Sequence, residues 1–173
     1  MLAAGLEYKA LPMVELEDGT RHTQSGAILK MFAAQHGYWP TDPQDVFESE
    51  HLDGMWGDIM KKYVLPANSR SHDQAVNDQR KQLLREEGAN IFFSAISRHL
   101  REGNRFVCGD NLTWIDFVLG GIFTNMVLNP NSEAYDVWCE VYPNAPANVR
   151  AYVEAFQQEM QSYLSTRPST CTL

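Results

Sequence analysis

Two neighbouring polar side chains, Gln24 and Ser25, stand where a short apolar run gives way to a helical pattern. A hydroxyl and a carboxamide at a helix start suit a ligand that carries both an amine and a carboxylate. The first N–H groups of a helix have no partner within it and sit at its positive end, so a carboxylate is held there without a basic side chain. The amide of Gln24 both donates and accepts, and so can face either group of such a ligand. Just upstream, Leu11-Pro12 leads into Met13-Val14-Glu15-Leu16, and Asp18-Gly19 separates that run from Arg21-His22-Thr23. This reads as two short strands joined by a tight Asp-Gly turn. The same residues also have plainer uses, because a serine caps a helix and a proline blunts an edge strand.

The elements that must position these groups follow from the rest of the chain. Its 173 residues, 44% of them hydrophobic, are enough for one ordinary domain or for a small domain fused to a larger one. A net charge of −8 argues against a phosphate-backbone partner and disfavours anionic membranes. Cys108, Cys139 and Cys171 are odd in number, widely spaced and free of any Cys-x-x-Cys pattern, so neither a disulfide framework nor a zinc site is expected. His22, His36, His51, His72 and His99 show no ligand spacing, so no metal is expected either. The opening Met1 to Leu6 is too short and uncharged for a signal peptide, and no apolar run approaches a membrane span. A reducing, cytoplasmic setting fits.

In chain order, Ser25 to His36 forms a helix with Ile28, Leu29, Phe32 and Ala33 on one face, stopped by Gly37. Residues 38–42 are a linker, and Asp42-Pro43 has the form of a helix cap followed by a first-position proline. From there the periodicity is helical. Leu52, Met55, Trp56, Ile59 and Tyr63 mark one amphipathic helix closed by Leu65-Pro66-Ala67-Asn68. A long polar helix follows from about Asp73 to Arg101, and Val149, Tyr152, Val153, Phe156, Met160 and Tyr163 mark a final one. Ser165 onward reads as a loose tail. Between the last two lies Leu112-Thr113-Trp114-Ile115-Asp116-Phe117. Thr113 and Asp116 are spaced as a capping box, with Leu112 and Phe117 as its hydrophobic staple. The helix so opened is apolar nearly all round and must lie at the centre of a bundle, with Gly120-Gly121 letting a neighbour approach closely.

The Pro-strand-turn-strand-Gln-Ser unit, followed well downstream by Gly109-Asp110-Asn111-Leu112-Thr113-Trp114-Ile115-Asp116-Phe117, resembles the cytosolic glutathione transferases, nearest in style to the sigma-class or S-crystallin-like branch. The resemblance covers residues 8 to 165. It implies a mainly α fold: the family's C-terminal helical bundle over 43–165, preceded by a partial thioredoxin-like ββα unit over 1–37 and followed by a tail over 166–173. It also implies glutathione as co-substrate. Leu11, before a cis Pro12, would offer its backbone to the cysteinyl part. Gln24 and Ser25 would hold the γ-glutamyl end, and Lys9 would approach the glycyl carboxylate. The implied activity is conjugation of glutathione to a small electrophile. The implied assembly is a homodimer whose partner lends an acidic residue, for which Asp73, Asp78 and Glu86 are candidates.

The family's thioredoxin-like domain begins with a βαβ unit, which needs about 30 residues or more. Only ten precede Leu11. The chain is therefore read as N-terminally truncated, without the loop whose Tyr, Ser or Cys lowers the thiol pKa of glutathione. No residue here matches that group; Tyr8 lies where the family has a loop. A second expectation follows, that of a transferase-derived binding or crystallin-like structural protein without the chemistry. The proline strand should then be an exposed edge, and residues 1–36 the weak part of the fold.

Overall fold

The computed structural model describes residues 11–69 and 71–168. The hairpin pairs β1 (Met13–Glu15) antiparallel with β2 (Arg21–Thr23), with Val14 opposite His22. Its turn is set locally: Gly19 takes φ 82°, and Asp18 accepts from Thr20 N at 2.8 Å. Helix α1 (Ser25–His36) follows at once and ends where Gly37 enters the left-handed region at φ 80°.

This small unit docks on the bundle through its linker. Trp39 stacks on Trp114 with centroids 6.0 Å apart, Tyr38 meets Phe117 edge-on at 5.0 Å, and Trp114 N donates to Tyr38 O at 2.9 Å. Lys30 of α1 reaches Glu50 at 2.8 Å and Asp53 at 3.3 Å and lies 4.4 Å from the Trp114 ring centre. The hairpin itself lies outside the buried core, with Leu11 91% exposed and Met13 37%. Few apolar contacts hold it, so the amides of Val14 to Thr23 are expected to exchange at least about a hundredfold faster than those of Ile115 to Ile122. Equal protection in the two segments, measured by native-state hydrogen exchange, would show the hairpin to be as secure as the bundle.

The bundle begins with α2 (Pro43–Ile59), whose cap Asp42 accepts from Gln44 N at 2.8 Å. A π-turn at Met60–Val64 carries the same helical path into the short α3 (Leu65–Asn68). Helix α4 (Gln74–Leu83), a π-turn at Leu84–Gly88 and α5 (Ala89–His99) form the long second path, capped by Asp73. Leu100 is already extended, so this helix stops two residues short of Arg101. The two π-turns meet: a Cβ on Gly88 would lie 2.8 Å from Tyr63 Cβ, so glycine there permits the crossing.

Helix α6 (Trp114–Ile122), prolonged by a π-turn to Val127, is the central element, and Ile115, Leu119 and Phe123 are fully buried on it. Around it pack α1, α2 and α8 (Ala147–Glu159), α5 reaches its π-turn through Phe92 and Phe93 on Phe123, and the Phe92 ring lies with its centroid 5.5 to 6.4 Å from those of Phe93, Phe123 and Trp138. Gly120 makes the closest approach, for a Cβ there would lie 2.1 Å from the Phe156 ring of α8; its neighbour Gly121 faces open space. Two features depart from the sequence expectations. Helix α7 (Tyr135–Val141), with a 3-10 turn at Tyr142–Asn144, lies where the sequence shows no helical period, being short and next to a proline. The last helix bends at Met160 into α9 (Gln161–Thr166), and Arg167 is tied to Asn125 and Thr124, so the segment from Ser165 to Arg167 is docked rather than loose.

Candidate functional site

The strand-to-helix corner presents its polar groups outward. The Leu11–Pro12 peptide is cis and leads directly into β1. Gln24 takes φ 74° and ψ 100°, a backbone state rare for a side-chain-bearing residue, and thereby turns the chain from β2 into α1 within one residue. Residues Gln24 to Ala27 are exposed, and the Gln24 and Ser25 side chains bond to no described residue. The first turn of α1 carries no acidic residue of its own. The positive end of a twelve-residue helix is therefore open, flanked by a carboxamide and a hydroxyl.

The structure brings Gln24 and Ser25 side by side and places Leu11 and Pro12 at the entrance of the strand paired with β2. Lys9 and Tyr8 lie outside the described residues. Asp73 and Asp78 are at the start of the long helical path and Glu86 in its π-turn; Asp73 is spent on capping Ala75 N at 2.9 Å, and Asp78 accepts from Gln74 at 2.8 Å.

At Thr113 and Asp116 the arrangement is structural, and it is more elaborate than a cap. Asp116 is fully buried, and its Oδ2 accepts from Thr113 N at 2.7 Å and Thr113 Oγ1 at 2.9 Å. Its Oδ1 accepts from Val107 N at 3.1 Å and from Tyr152 Oη at 3.2 Å. One carboxylate thus fixes the loop before α6, the start of α6 and the middle of α8. Burial pushes the Asp116 carboxyl above its ordinary pKa, against the pull of these bonds, and burial beside Asp116 raises the Tyr152 phenol well above its own. Cys108 is nearby and half-buried; desolvation raises its thiol pKa, which makes it a poor nucleophile at neutral pH. Among the described residues no group of three or more His, Cys, Asp or Glu is placed to hold a metal ion, and no helix is long and apolar enough to cross a membrane.

A small ββα unit set on an α-bundle with a buried, capped central helix is the architecture of the glutathione transferases. The family profile described as glutathione S-transferase, C-terminal domain, matches residues 58–167, well over half of the chain, and the protein belongs to that family. It is 23% identical over 129 residues to glutathione S-transferase 2 of Caenorhabditis elegans, an alignment that spans 73% of this chain and 68% of that one. Similar folds include prostaglandin synthase D of Nilaparvata lugens, with TM-score 0.73 and 16% identity over 94% of this chain and 76% of that chain. The glutathione S-transferase Blo t 8 superposes with TM-score 0.73 and 23% identity, over 96% of this chain and 72% of that chain. A Nu-class glutathione S-transferase from Haemonchus contortus follows with TM-score 0.68 and 19% identity over 95% and 77%.

Proposed function

We propose that this protein binds glutathione at the corner built by Leu11, Pro12, Gln24 and Ser25, with Lys9 beside it, and that it descends from an enzyme conjugating glutathione to small electrophiles. The observation that carries this reading is the exposed, acid-free N-terminus of α1 flanked by two side chains without partners among the described residues. An α-amino acid end group supplies the matching carboxylate and amine. The Ser25 hydroxyl and the α1 N–H groups take the carboxylate, the Gln24 amide oxygen takes the ammonium, and the Leu11 backbone is left for an extended peptide portion.

The reading includes truncation. This chain covers 76% of the Nilaparvata lugens chain and 72% of Blo t 8, which leaves 24% and 28% of them without a counterpart here. The unit expected to carry the thiol-activating residue is proposed to lie in that share. Binding without conjugation is accordingly the expected behaviour of these 173 residues, and a sigma-class or crystallin-like affiliation is part of the same proposal. The partition into a ββα unit over 1–37, a linker over 38–42 and a bundle from 43 goes with it. A homodimer in a cytoplasmic setting completes it. The exposed Phe47 on α2, 61% accessible and stacked on His51, and Ile91 on α5, 44% accessible and lining one groove with His51 and Met55, offer an apolar face for a second copy.

Calorimetric titration of glutathione into the purified protein tests the reading. Saturable binding is expected, weakened about tenfold by Ser25→Ala through the loss of one hydrogen bond to a charged group. A folded, helical protein that takes up no glutathione overturns it. A chloronitrobenzene conjugation assay on the same sample separates the two forms of the proposal: turnover above the uncatalysed rate contradicts binding without catalysis.

A further inference from the structure

A cavity opens among residues of the helical bundle alone. It has a volume of about 250 Å³ and is walled by Phe117 and Gly121 of α6, Phe156 of α8, Met160 at the bend, and Tyr163 and Leu164 of α9. None of these residues belongs to the hairpin or to α1, so the cavity is separate from the corner at Gln24 and Ser25. Its floor is open because Gly121 has no side chain: a Cβ there would meet only Asn125 Nδ2, at 4.0 Å.

One cation closes the cavity. Arg167 Nη1 donates to Asn125 Oδ1 at 2.5 Å and to Thr124 Oγ1 at 3.5 Å, and Nη2 donates to the Thr124 carbonyl at 2.8 Å. All three acceptors are neutral, and among the described residues no carboxylate pairs with this guanidinium. Arg150 bonds the Pro143 and Ala145 carbonyls, while Arg85, Arg101 and Arg105 are each matched to an acid. The Nε donor and one Nη2 donor of Arg167 remain without a bond to any described residue. The neutral partners hold the planar fork in place without cancelling its charge.

We infer that this cavity binds a small monoanionic carboxylic acid with an aromatic or aliphatic body, its carboxylate on Arg167 and its body against Phe117, Tyr163 and Leu164. A single guanidinium matches one carboxylate bidentately, whereas a doubly charged phosphate in such apolar walls would need a second cation. The volume lies below the roughly 300 Å³ at which sites for drug-sized molecules begin, which limits the ligand to a small acid.

The test is calorimetric titration of the full 173-residue protein with 4-phenylbutyrate and, as the uncharged control, 4-phenylbutyramide. The acid is expected to saturate one site and the amide to bind about tenfold more weakly or worse. Arg167→Gln and Gly121→Leu, the second filling the floor without touching the cation, are each expected to weaken the acid about tenfold or more. A folded wild type that takes neither compound, or takes both alike, overturns the inference, as does a helical Gly121→Leu that binds the acid as tightly as the wild type. The acid-to-amide ratio on the wild type decides even if a variant fails to fold. Because glutathione is absent from the experiment, its result is independent of the reading of the corner.

Discussion

Asp116→Ala is expected to destabilise the protein by roughly 4 kcal/mol, because it strips partners from two buried backbone N–H groups and one buried phenol at once. The four bonds of this carboxylate join residues 107, 113 and 152, so the loss is felt in three segments rather than at one helix end. An ordinary exposed cap is worth only about 1 kcal/mol. A denaturant midpoint that moves by no more than that would show that the bonds to Val107 and Tyr152 contribute little. Asp116→Asn sharpens the point. All four contacts on the carboxylate are donors, and an amide nitrogen in place of one oxygen meets donors with a donor.

The pH dependence of that second variant has a definite sign. Burial raises the folded pKa of Asp116 above its unfolded value, so the folded state takes up the proton first as pH falls. The stabilisation linked to this group is complete below the ordinary carboxylate pKa of about 3.9 and is lost as pH rises through the raised folded pKa. Asparagine does not titrate. The stability gap between wild type and Asp116→Asn is therefore expected to widen from neutral pH toward pH values near 4, read as the difference in urea midpoints. A gap that narrows toward acid would mean that the four donors outweigh burial and hold the carboxyl below its ordinary range.

The second large effect is a contrast between adjacent residues. Gly120→Ala places a methyl group 2.1 to 2.4 Å from three ring atoms of Phe156, a side chain only 5% exposed, so that the ring or α8 has to shift. Overpacking of this kind costs about 1–3 kcal/mol, enough to exceed the roughly 1 kcal/mol that alanine contributes over glycine inside a helix. Gly121→Ala meets no obstacle nearer than 4.0 Å, so there the helix preference acts alone and the protein is expected to be unchanged or up to about 1 kcal/mol more stable. Thermal unfolding of the two variants side by side decides the matter. If Gly120→Ala proves as stable as Gly121→Ala, then α8 gives way freely and the close approach does not constrain the bundle.

What was legible in the sequence was chemistry that acts over a few residues. Asp18-Gly19 specified the hairpin turn, Asp42-Pro43 the start of α2, and Thr113 with Asp116 the start of α6, because each completes its bonds within three residues. The Gly-Gly pair was read as a close approach, which holds for Gly120 and fails for Gly121, since which of two neighbours faces a partner depends on the partner's position. Helix α7 escaped because Val137, Trp138 and Val141 span little more than one turn, too short for a period to show. Asp116 was visible as a cap, but its bonds to Val107 and Tyr152 were not. At the candidate corner the adjacency of Gln24 and Ser25 was legible, while the backbone state of Gln24 appears only once β2 and α1 are in place. Arg167 carried no local signal at all, since its acceptors lie 42 and 43 residues away.

The paired π-turns at Met60–Val64 and Leu84–Gly88 bear on how this bundle tolerates changes in chain length. A π-turn takes up one residue more than the α-helical turn it replaces, so it absorbs an insertion inside a helix without breaking it. Deleting that residue would close the bulge into an ordinary α-helical turn with both flanks still in register, whereas a deletion elsewhere in the helix would rotate everything downstream by about 100° about its axis. Tyr63 and Val64, adjacent in sequence, are both buried at this widened turn. A single-codon deletion in either segment thus keeps the buried face of the helix where it is, while the same deletion a turn away would exchange buried residues for exposed ones along the whole remainder of the element.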